Sequence, residues 1–283
     1  MVNKMVIKKK RYKLKWKNLI ALIIFFIAFI FLIKSGINLI NYFIDTNKTN
    51  DEIKEIEDVV NIEETKDNEN TEIIEQKEEI PKENPYWDYI KMNLINVNFD
   101  ELLKINNETK GWIQVNGTNI NYPFVQTNNN DYYLTHSFNK SYNQAGWVFM
   151  DYRNNTTDYD KNTILYAHGM NNKTMFGSLR NILSSSWYDN TDNHIIKLST
   201  PTENTLWQVF SVYHIETTND YIQTRFTSDE EYQNFLNKLK NRSAVEFDTS
   251  INANDKILTL STCYNKTDKV VMHAKLIKKE AKT

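Results

Sequence analysis

A single cysteine, Cys263, occurs among the 283 residues, so an internal disulfide is excluded. Lysine and arginine (34) nearly balance aspartate and glutamate (36), and the formal net charge of −2 provides no overall field that would favour nucleic acid. The acidic segments show no EF-hand spacing and no His/Cys cluster is present, so neither calcium nor zinc is predicted. We therefore expect no metal, no other cofactor and no nucleic-acid partner.

Charge is missing from one long stretch near the N-terminus. Fifteen consecutive apolar residues run from Leu19 to Ile33, directly after a strongly basic head. Fifteen is fewer than the ~20 residues that span a bilayer. However, Lys34 can extend its ammonium toward the interface, and the apolar character continues to Ile40. We predict a basic cytoplasmic tail over residues 1–17 and a transmembrane anchor over residues 18–40.

A cleaved signal peptide is the competing interpretation of this segment, because it shares the basic head and the apolar centre. No small-x-small site such as Ala-x-Ala follows the apolar run, which favours an uncleaved anchor. Basic residues before the span and acidic residues after it predict a single pass through the cell membrane, with the N-terminus in the cytoplasm and the rest of the chain outside.

The segment after the predicted anchor is acidic. Residues 51–80 contain thirteen acidic residues, three lysines and no aromatic residue, so they bury too little apolar area to offset the entropy of ordering. We predict an acidic extracellular stalk over residues 41–84. Aromatic residues begin directly after Pro85, so one folded domain is predicted over residues 85–283, which is within the usual size of a domain.

The pattern inside this domain is mostly that of strands. Eight short runs of apolar and β-branched residues are separated by turns, as is typical of a barrel or sandwich. A helical pattern with a capping box from Ser228 to Glu231 precedes the last two runs. We predict a mostly antiparallel β-barrel with peripheral helices. A short helix near the domain's beginning is predicted to have one apolar face: Phe99, Leu102, Leu103 and Ile105.

Cys263 lies between the last two predicted strands. Free cysteines are usually small buried apolar residues, but an unpaired thiol outside the cell is open to oxidation, so a reactive and a structural role both stay open. A cysteine nucleophile needs a proton-transfer group and a group that stabilises the oxyanion. His168 is the preferred proton-transfer partner, because it lies at the exit of a strand and before a glycine turn.

Four segments, in the same order, resemble class B sortases, which are cysteine transpeptidases of Gram-positive cell envelopes. They are GWIQVNGTNINYPFVQTNNNDYYL, GWVFMDYRNN, LYAHGM around His168, and TLSTC around Cys263. The resemblance covers roughly residue 86 to the C-terminus, and the first 85 residues fit the anchor and stalk of such enzymes. It implies an eight-stranded sortase-type β-barrel with N-terminal helices and a peripheral helix before the cysteine-bearing strand.

The resemblance also implies a reaction. Cys263 would be the nucleophile and His168 the proton-transfer partner. The thiolate would cleave a C-terminal sorting signal after threonine, form a thioacyl-enzyme, and transfer the surface protein to a peptidoglycan amine. A catalytically weak or inactive sortase-fold module that binds sorting signals or wall peptides is the alternative. Two other classes of wall enzyme fit less well: L,D-transpeptidases carry Ser-x-Gly-Cys, and papain-like hydrolases place the cysteine before the histidine.

The sequence departs from the family at one position. Class B sortases have arginine at the start of the strand after the cysteine, where this chain has Lys269, and no arginine follows Cys263. Arginine offers a planar fork of donors, whereas lysine offers a single point charge. Three interpretations stay open: Lys269 stabilises the oxyanion less efficiently, Arg225 on the loop before the helix takes its place, or activity has been lost.

Substrate contacts and partners are also implied by the resemblance. Tyr166 is predicted on the face of His168 and Ser261 on that of Cys263, because side chains alternate along a strand. The predicted partners are surface proteins bearing sorting signals, a peptidoglycan amine acceptor, and the membrane through the N-terminal helix. The predicted substrate-binding residues are Asn130, Leu134, Tyr166, Thr217, Tyr221, Ile222 and Ser261.

Overall fold

The structure, a computed structural model, describes residues 15–74, 80–155, 157–265 and 267–282. By their internal contacts the residues divide into two units, one that ends at Asn47 and one that begins at Lys48. A 44-residue helix, α1 (Trp16–Val59), belongs to both.

The N-terminal unit is the apolar part of α1. Its most apolar stretch of 18 residues has a mean hydropathy of 2.7, and none of that stretch is buried. Exposed apolar side chains over such a length are unfavourable in water and suit a lipid environment. Within the described part of the chain, α1 is the one helix that qualifies as a membrane span by length and composition. It is compatible with single-pass membrane anchoring.

The second unit contains the remaining elements. Its α-helices are α2 (Tyr86–Tyr89), α3 (Asp100–Ile105), α4 (Ser185–Tyr188) and α5 (Asp229–Asn241). Its strands are β1 (Ile62–Thr65), β2 (Thr71–Ile73), β3 (Leu94–Val97), β4 (Thr109–Val115), β5 (Asn121–Val125), β6 (Phe149–Met150), β7 (Asn162–Tyr166), β8 (Ile195–Ser199), β9 (Glu203–Glu216), β10 (Ile257–Cys263) and β11 (Asp268–Ala281).

Eight strands form a closed barrel. Their order is β10-β7-β6-β5-β4-β8-β9-β11, and pairing of β10 with β11 closes the circle. Neighbouring strands are antiparallel except for the pairs β7–β10 and β5–β6, which are parallel. These eight strands are the eight apolar runs of the sequence, so the predicted β-barrel is confirmed. Because the barrel is closed, none of its eight strands is an edge strand, so no row of unpaired backbone N–H and C=O groups is left through which another chain could pair.

The core fills the barrel and one of its outer faces. Trp112, Trp147 and Trp207 are almost fully buried in the main apolar cluster. Helix α5 covers the outside of β9, β10 and β11, and its four apolar residues are buried: Tyr232, Phe235, Leu236 and Leu239.

Two details of the predicted helices differ in the structure. The Ser228 side chain caps α5 by accepting from Glu231 N–H at 3.1 Å, but the Glu231 carboxylate accepts from Thr227 instead of returning to Ser228. In α3, Leu102 is fully buried while Leu103 and Ile105 are 38% and 42% exposed. Phe99, directly before α3, is also buried, so two of the four predicted positions are covered and the predicted apolar face was too wide.

The predicted acidic stalk is ordered in three places. Residues after Lys48 continue α1 to Val59, β1 pairs with β3, and β2 pairs with β11. Charge complementarity explains the pairing of β2. In β11, Lys279 lies 3.0 Å from Glu72, and the buried Lys278 lies 2.5 Å from Asp67. The acidic residues thus neutralise lysines of the last strand, which composition of the segment alone does not show. Residues 75–79 of the predicted stalk lie outside the described residues.

Candidate active site

The cysteine and the lysine that follows it are partners across a hairpin. β10 and β11 are antiparallel, and their last registered pair is Cys263 opposite Lys269. Residues directly opposite in such a pair have Cβ atoms about 5 Å apart. The Lys269 side chain extends over this distance and donates from Nζ to Cys263 Sγ at 3.0 Å. A separation of six residues in sequence therefore becomes a direct contact.

His168 enters the site through the other neighbour of the cysteine-bearing strand. β7 runs parallel to β10, and each registered pair, such as Tyr166 and Ser261, is 95 positions apart. Cys263 and His168 have the same separation. Beyond the last registered pair, the Thr262 hydroxyl donates to the Ala167 carbonyl at 2.8 Å and keeps the two chains together. The barrel register thus brings His168 beside Cys263.

The orientation of the His168 ring is defined by one hydrogen bond. Its Nε2 lies 2.8 Å from the carbonyl oxygen of Leu134. A carbonyl only accepts, so Nε2 carries a proton and donates it. In the neutral imidazole this leaves Nδ1 unprotonated, and Nδ1 is then the nitrogen that can take up and release a proton. His168 and Cys263 are both half-buried.

A groove of about 410 Å³ opens at this end of the barrel. It is lined by all three predicted catalytic residues and by all seven predicted substrate-binding residues. Five more residues that the sequence did not single out complete the lining. These are Phe149, Ala167, Thr218, Asn219 and Thr262.

One wall of the groove is the connection between β9 and α5, which the chain anchors at three points. Thr217 donates from its hydroxyl to the Thr267 carbonyl at 2.6 Å, beside the Cys263 hairpin. Tyr221 is buried, and its hydroxyl lies 2.9 Å from Ser261 Oγ. Arg242 of the α5 C-terminus binds the Asp220 carboxylate through two nitrogens, and these hydrogen bonds lower the pKa of Asp220 to about 2. This wall is therefore held in place before any peptide binds.

A buried carboxylate that the sequence did not reveal connects the two walls. Asp151 follows β6, and its fully buried side chain accepts from Arg153 Nε and Nη2 at 2.8 and 2.7 Å. Asn130 Nδ2 and the Tyr166 hydroxyl each donate to Asp151 Oδ2 at 3.0 Å. Arg153 Nη2 also donates to the carbonyl of Ile222 on the opposite wall, at 2.9 Å.

Electrostatics fix the charge state of this network. Burial by itself raises the pKa of Asp151, but the hydrogen bonds and the charge of Arg153 outweigh burial and hold that pKa below its ordinary value. The pKa of Tyr166 is raised by burial and by the negative charge of Asp151. Tyr166 therefore stays a neutral hydrogen-bond donor, and Asp151 stays its charged acceptor.

Arg180 contacts the turn after His168. Its Nη2 donates to the Gly169 carbonyl at 2.8 Å, and its guanidinium is 6.0 Å from the centre of the Tyr264 ring. No sequence signal marks this residue, because the contact depends on how residues 169–180 fold back. Arg225, in contrast, is exposed and is not among the residues that line the groove. Lys269 is the cation that contacts the thiol.

The other histidines lie away from the groove lining. His273 is fully buried between the Tyr213 hydroxyl and Thr259 Oγ1, each 2.8 Å from a ring nitrogen. His214 is exposed and lies 3.1 Å from Asp268. Both are strand residues, His214 in β9 and His273 in β11.

Comparison with known proteins gives one consistent family. A family model described as the sortase domain matches residues 113–277. Sortase B of Staphylococcus aureus is 39% identical over 184 residues, which are 64% of this chain and 75% of that protein.

Solved structures agree with this match. The crystal structure of sortase B from B. anthracis in complex with AAEK1 is 41% identical, with a TM-score of 0.59 over 64% of this chain and 84% of that chain. A Staphylococcus aureus sortase B-substrate complex is 38% identical, with a TM-score of 0.60 over 64% of this chain and 84% of that chain.

Proposed function

The chain belongs to the class B branch of the sortase family, a family of cysteine transpeptidases that act on proteins bearing sorting signals, and from this we propose its specific reaction. The enzyme cleaves a C-terminal sorting signal after threonine and transfers the surface protein to a peptidoglycan amine. The observation that carries this proposal is the 3.0 Å contact of Cys263 Sγ with Lys269 Nζ in a groove that also contains His168.

Acylation is the first half of the reaction. The Cys263 thiolate, paired with the Lys269 ammonium, attacks the backbone carbonyl carbon of the threonine. The negative charge passes to the carbonyl oxygen, and the ammonium stabilises it there. His168, which has taken the proton of the Cys263 thiol on Nδ1, then donates that proton to the departing amine, and the C–N bond breaks. The product is a thioester on Cys263.

Transfer is the second half. An amine of the wall precursor enters the groove and attacks the thioester carbonyl, while His168 Nδ1 accepts its proton. The C–S bond breaks, and the thiolate returns to its contact with Lys269. The half-buried position of Cys263 supports transfer over hydrolysis, because a bound peptide covers the thioester from bulk water.

The sorting signal occupies the groove between two walls. We assign Asn130, Leu134 and Tyr166 to one side, and Thr217, Tyr221 and Ile222 to the other. Ser261 supports Tyr221 through their 2.9 Å hydroxyl contact. Anchored walls reduce the ordering entropy that peptide binding would otherwise cost.

The apolar part of α1 supports a location at the cell membrane. We propose a single pass with the basic head in the cytoplasm and the catalytic domain outside, where secreted substrates emerge. The acidic segment that includes β1 and β2 joins this domain to the anchor.

Lys269 favours a second candidate function, a binding module that holds sorting signals with little or no turnover. A single ammonium cannot hold the oxyanion through the two-pronged geometry of a guanidinium. Both candidates predict peptide binding, but only the transpeptidase predicts a covalent intermediate.

The two functions are separated by intact mass measurement. Full-length chain in detergent micelles is incubated with a panel of sorting-signal peptides, with and without a small amine nucleophile, and Cys263→Ala serves as the matched control. A transpeptidase gives an acyl adduct on Cys263 without the amine and a transfer product with it. Peptides that bind without adduct or product in the whole panel would establish the binding module instead.

A further inference from the structure

The contact between Lys269 and Cys263 has a chemical consequence that an arginine could not have. A guanidinium stays protonated and is not a nucleophile, whereas a lysine can lose its proton and become one. Lys269 Nζ lies 3.0 Å from the sulfur that would carry the acyl group. We propose that Lys269 is an internal acyl acceptor, which takes the acyl group from Cys263 when no external amine is bound. This proposal rests on the proposed transpeptidase function.

The chemistry balances without a further reactant. The Lys269 ammonium first loses a proton to water. The neutral amine then attacks the thioester carbonyl carbon, the C–S bond breaks, and a C–N amide bond forms. One proton of the amine passes to the Cys263 sulfur, which is regenerated as a thiol. Nothing is oxidised or reduced. The product is the surface protein, or a peptide probe, joined through its threonine carboxyl to the Lys269 side chain.

Geometry favours this transfer over an encounter in solution. The thioester carbon is one bond from Sγ, and Nζ already lies in contact with Sγ across the β10–β11 pair. Reacting atoms that are held about 3–3.5 Å apart on one scaffold have a large effective concentration, because the entropy of bringing them together is already lost when the protein folds.

Charge favours it as well. In the free enzyme, the thiolate is the anion that stabilises the Lys269 ammonium. Acylation removes that negative charge, so the electrostatic attraction that pairs Nζ with the sulfur is lost and Nζ is free to approach the thioester carbon. The adjacent carboxylate cannot replace the thiolate. Asp268 points to the opposite face of β11, where it contacts His214 and Asn265 at 3.1 and 2.8 Å.

The proposed transfer would end turnover. An acylated Lys269 has no positive charge, so the next oxyanion would lose its stabilising cation. External amine and Lys269 therefore compete for one thioester. With abundant acceptor the enzyme releases product, and without acceptor it becomes acylated on itself.

Hydroxylamine distinguishes the two adducts, because it cleaves thioesters and leaves amides intact. Full-length chain in detergent micelles is incubated with a labelled sorting-signal peptide and no amine, then divided and treated with or without hydroxylamine. Trypsin places the two residues in different peptides. Cys263 lies in residues 257–266, whereas an acylated Lys269 blocks cleavage and gives a labelled peptide of residues 267–275.

We expect a hydroxylamine-resistant label on residues 267–275 in the wild type. Lys269→Arg should lower it at least about tenfold, because the guanidinium cannot be acylated, and Cys263→Ala should abolish it. An early time point establishes whether the thioester forms at all. A thioester on Cys263 that never becomes resistant, or a resistant label on another lysine, overturns the internal acceptor and leaves the transpeptidase intact. Absence of any thioester or transfer product overturns the proposed function and this inference with it.

Discussion

Replacement of Asp151 by asparagine tests whether the network behind the groove positions its walls. The change keeps the size of the side chain but removes the charge that Arg153 binds through two nitrogens at 2.8 and 2.7 Å. It also puts an amide group where Asn130, Tyr166 and Arg153 all donate. The change does not alter Cys263 or His168, which carry the proposed chemistry.

The magnitude follows from burial. Breaking a fully buried ion pair by removing one partner costs about 3–5 kcal/mol. The Asp151 side chain is 0% exposed but that of Arg153 is 33% exposed, so water can partly hydrate the guanidinium after it has lost its partner, which reduces the cost. We expect the free energy of unfolding to fall by about 2–3 kcal/mol. Looser anchoring of Tyr166 and Ile222 should raise KM about tenfold, which corresponds to the loss of roughly one charge-assisted hydrogen bond.

Two measurements check this prediction. Urea unfolding gives the change in stability, and steady-state transpeptidation of a fluorogenic sorting-signal peptide separates KM from kcat. Asp88→Asn is the matched control, because Asp88 pairs with Lys91 at 3.0 Å while its side chain is 81% exposed. That variant should change stability by less than about 0.5 kcal/mol. A stability loss below 1 kcal/mol for Asp151→Asn, or a fall in kcat with unchanged KM, would refute the positioning role.

Three further predictions concern single residues. Lys269→Ala should lower transfer by about 100-fold or more, while Lys269→Arg should keep or raise the initial rate; equal initial rates of wild type and Lys269→Ala would contradict the role of this lysine. Gly169→Ala would place a Cβ 2.3 Å from the Cys263 carbonyl oxygen, so the turn after His168 must shift. Transfer by this variant should fall by about 5- to 160-fold, as a barrier increase of about 1–3 kcal/mol implies, and full activity would show that the turn adapts. Burial, with a smaller contribution from nearby positive charge, lowers the pKa of His273 to about 3 from its ordinary 6.5, so its contribution to stability is complete above pH 6.5 and declines as the pH falls. About 2 kcal/mol should be lost by pH 5, and His273→Gln should flatten the slope of unfolding free energy between pH 7 and pH 5; parallel slopes would reject this assignment.

Local patterns predicted the parts of the fold that depend on neighbours in sequence. Each barrel strand is a run of apolar and β-branched residues, and α5 shows its apolar face at helical spacing with a Ser228 cap. The resemblance carried by the motifs around Cys263 and His168 added the closed barrel of eight strands. Failure came where the pattern was short or the partner distant. Leu103 and Ile105 match a helical face, yet only Phe99 and Leu102 of that face are buried.

The acidic segment shows the same limit. Its composition predicts a solvated stalk, because few apolar residues are available to bury. Its charges become stabilising only beside Lys278 and Lys279, more than 200 positions later in the chain. Asp151 likewise carries no local signal, because its donors come from Asn130, Arg153 and Tyr166.

The sequence by itself determined that the chain has one cysteine, a histidine in a family motif and a lysine where the family has arginine, and it predicted the proposed nucleophile and its proton-transfer partner, because residue type and motif are local properties. Only the tertiary structure decided what that lysine can do. Strand register turns a separation of six residues into a 3.0 Å contact of Nζ with Sγ, and the parallel pairing of β7 with β10 brings His168 across 95 positions to the same groove. Register depends on pairing and closure of the whole barrel, so no stretch of sequence contains it alone.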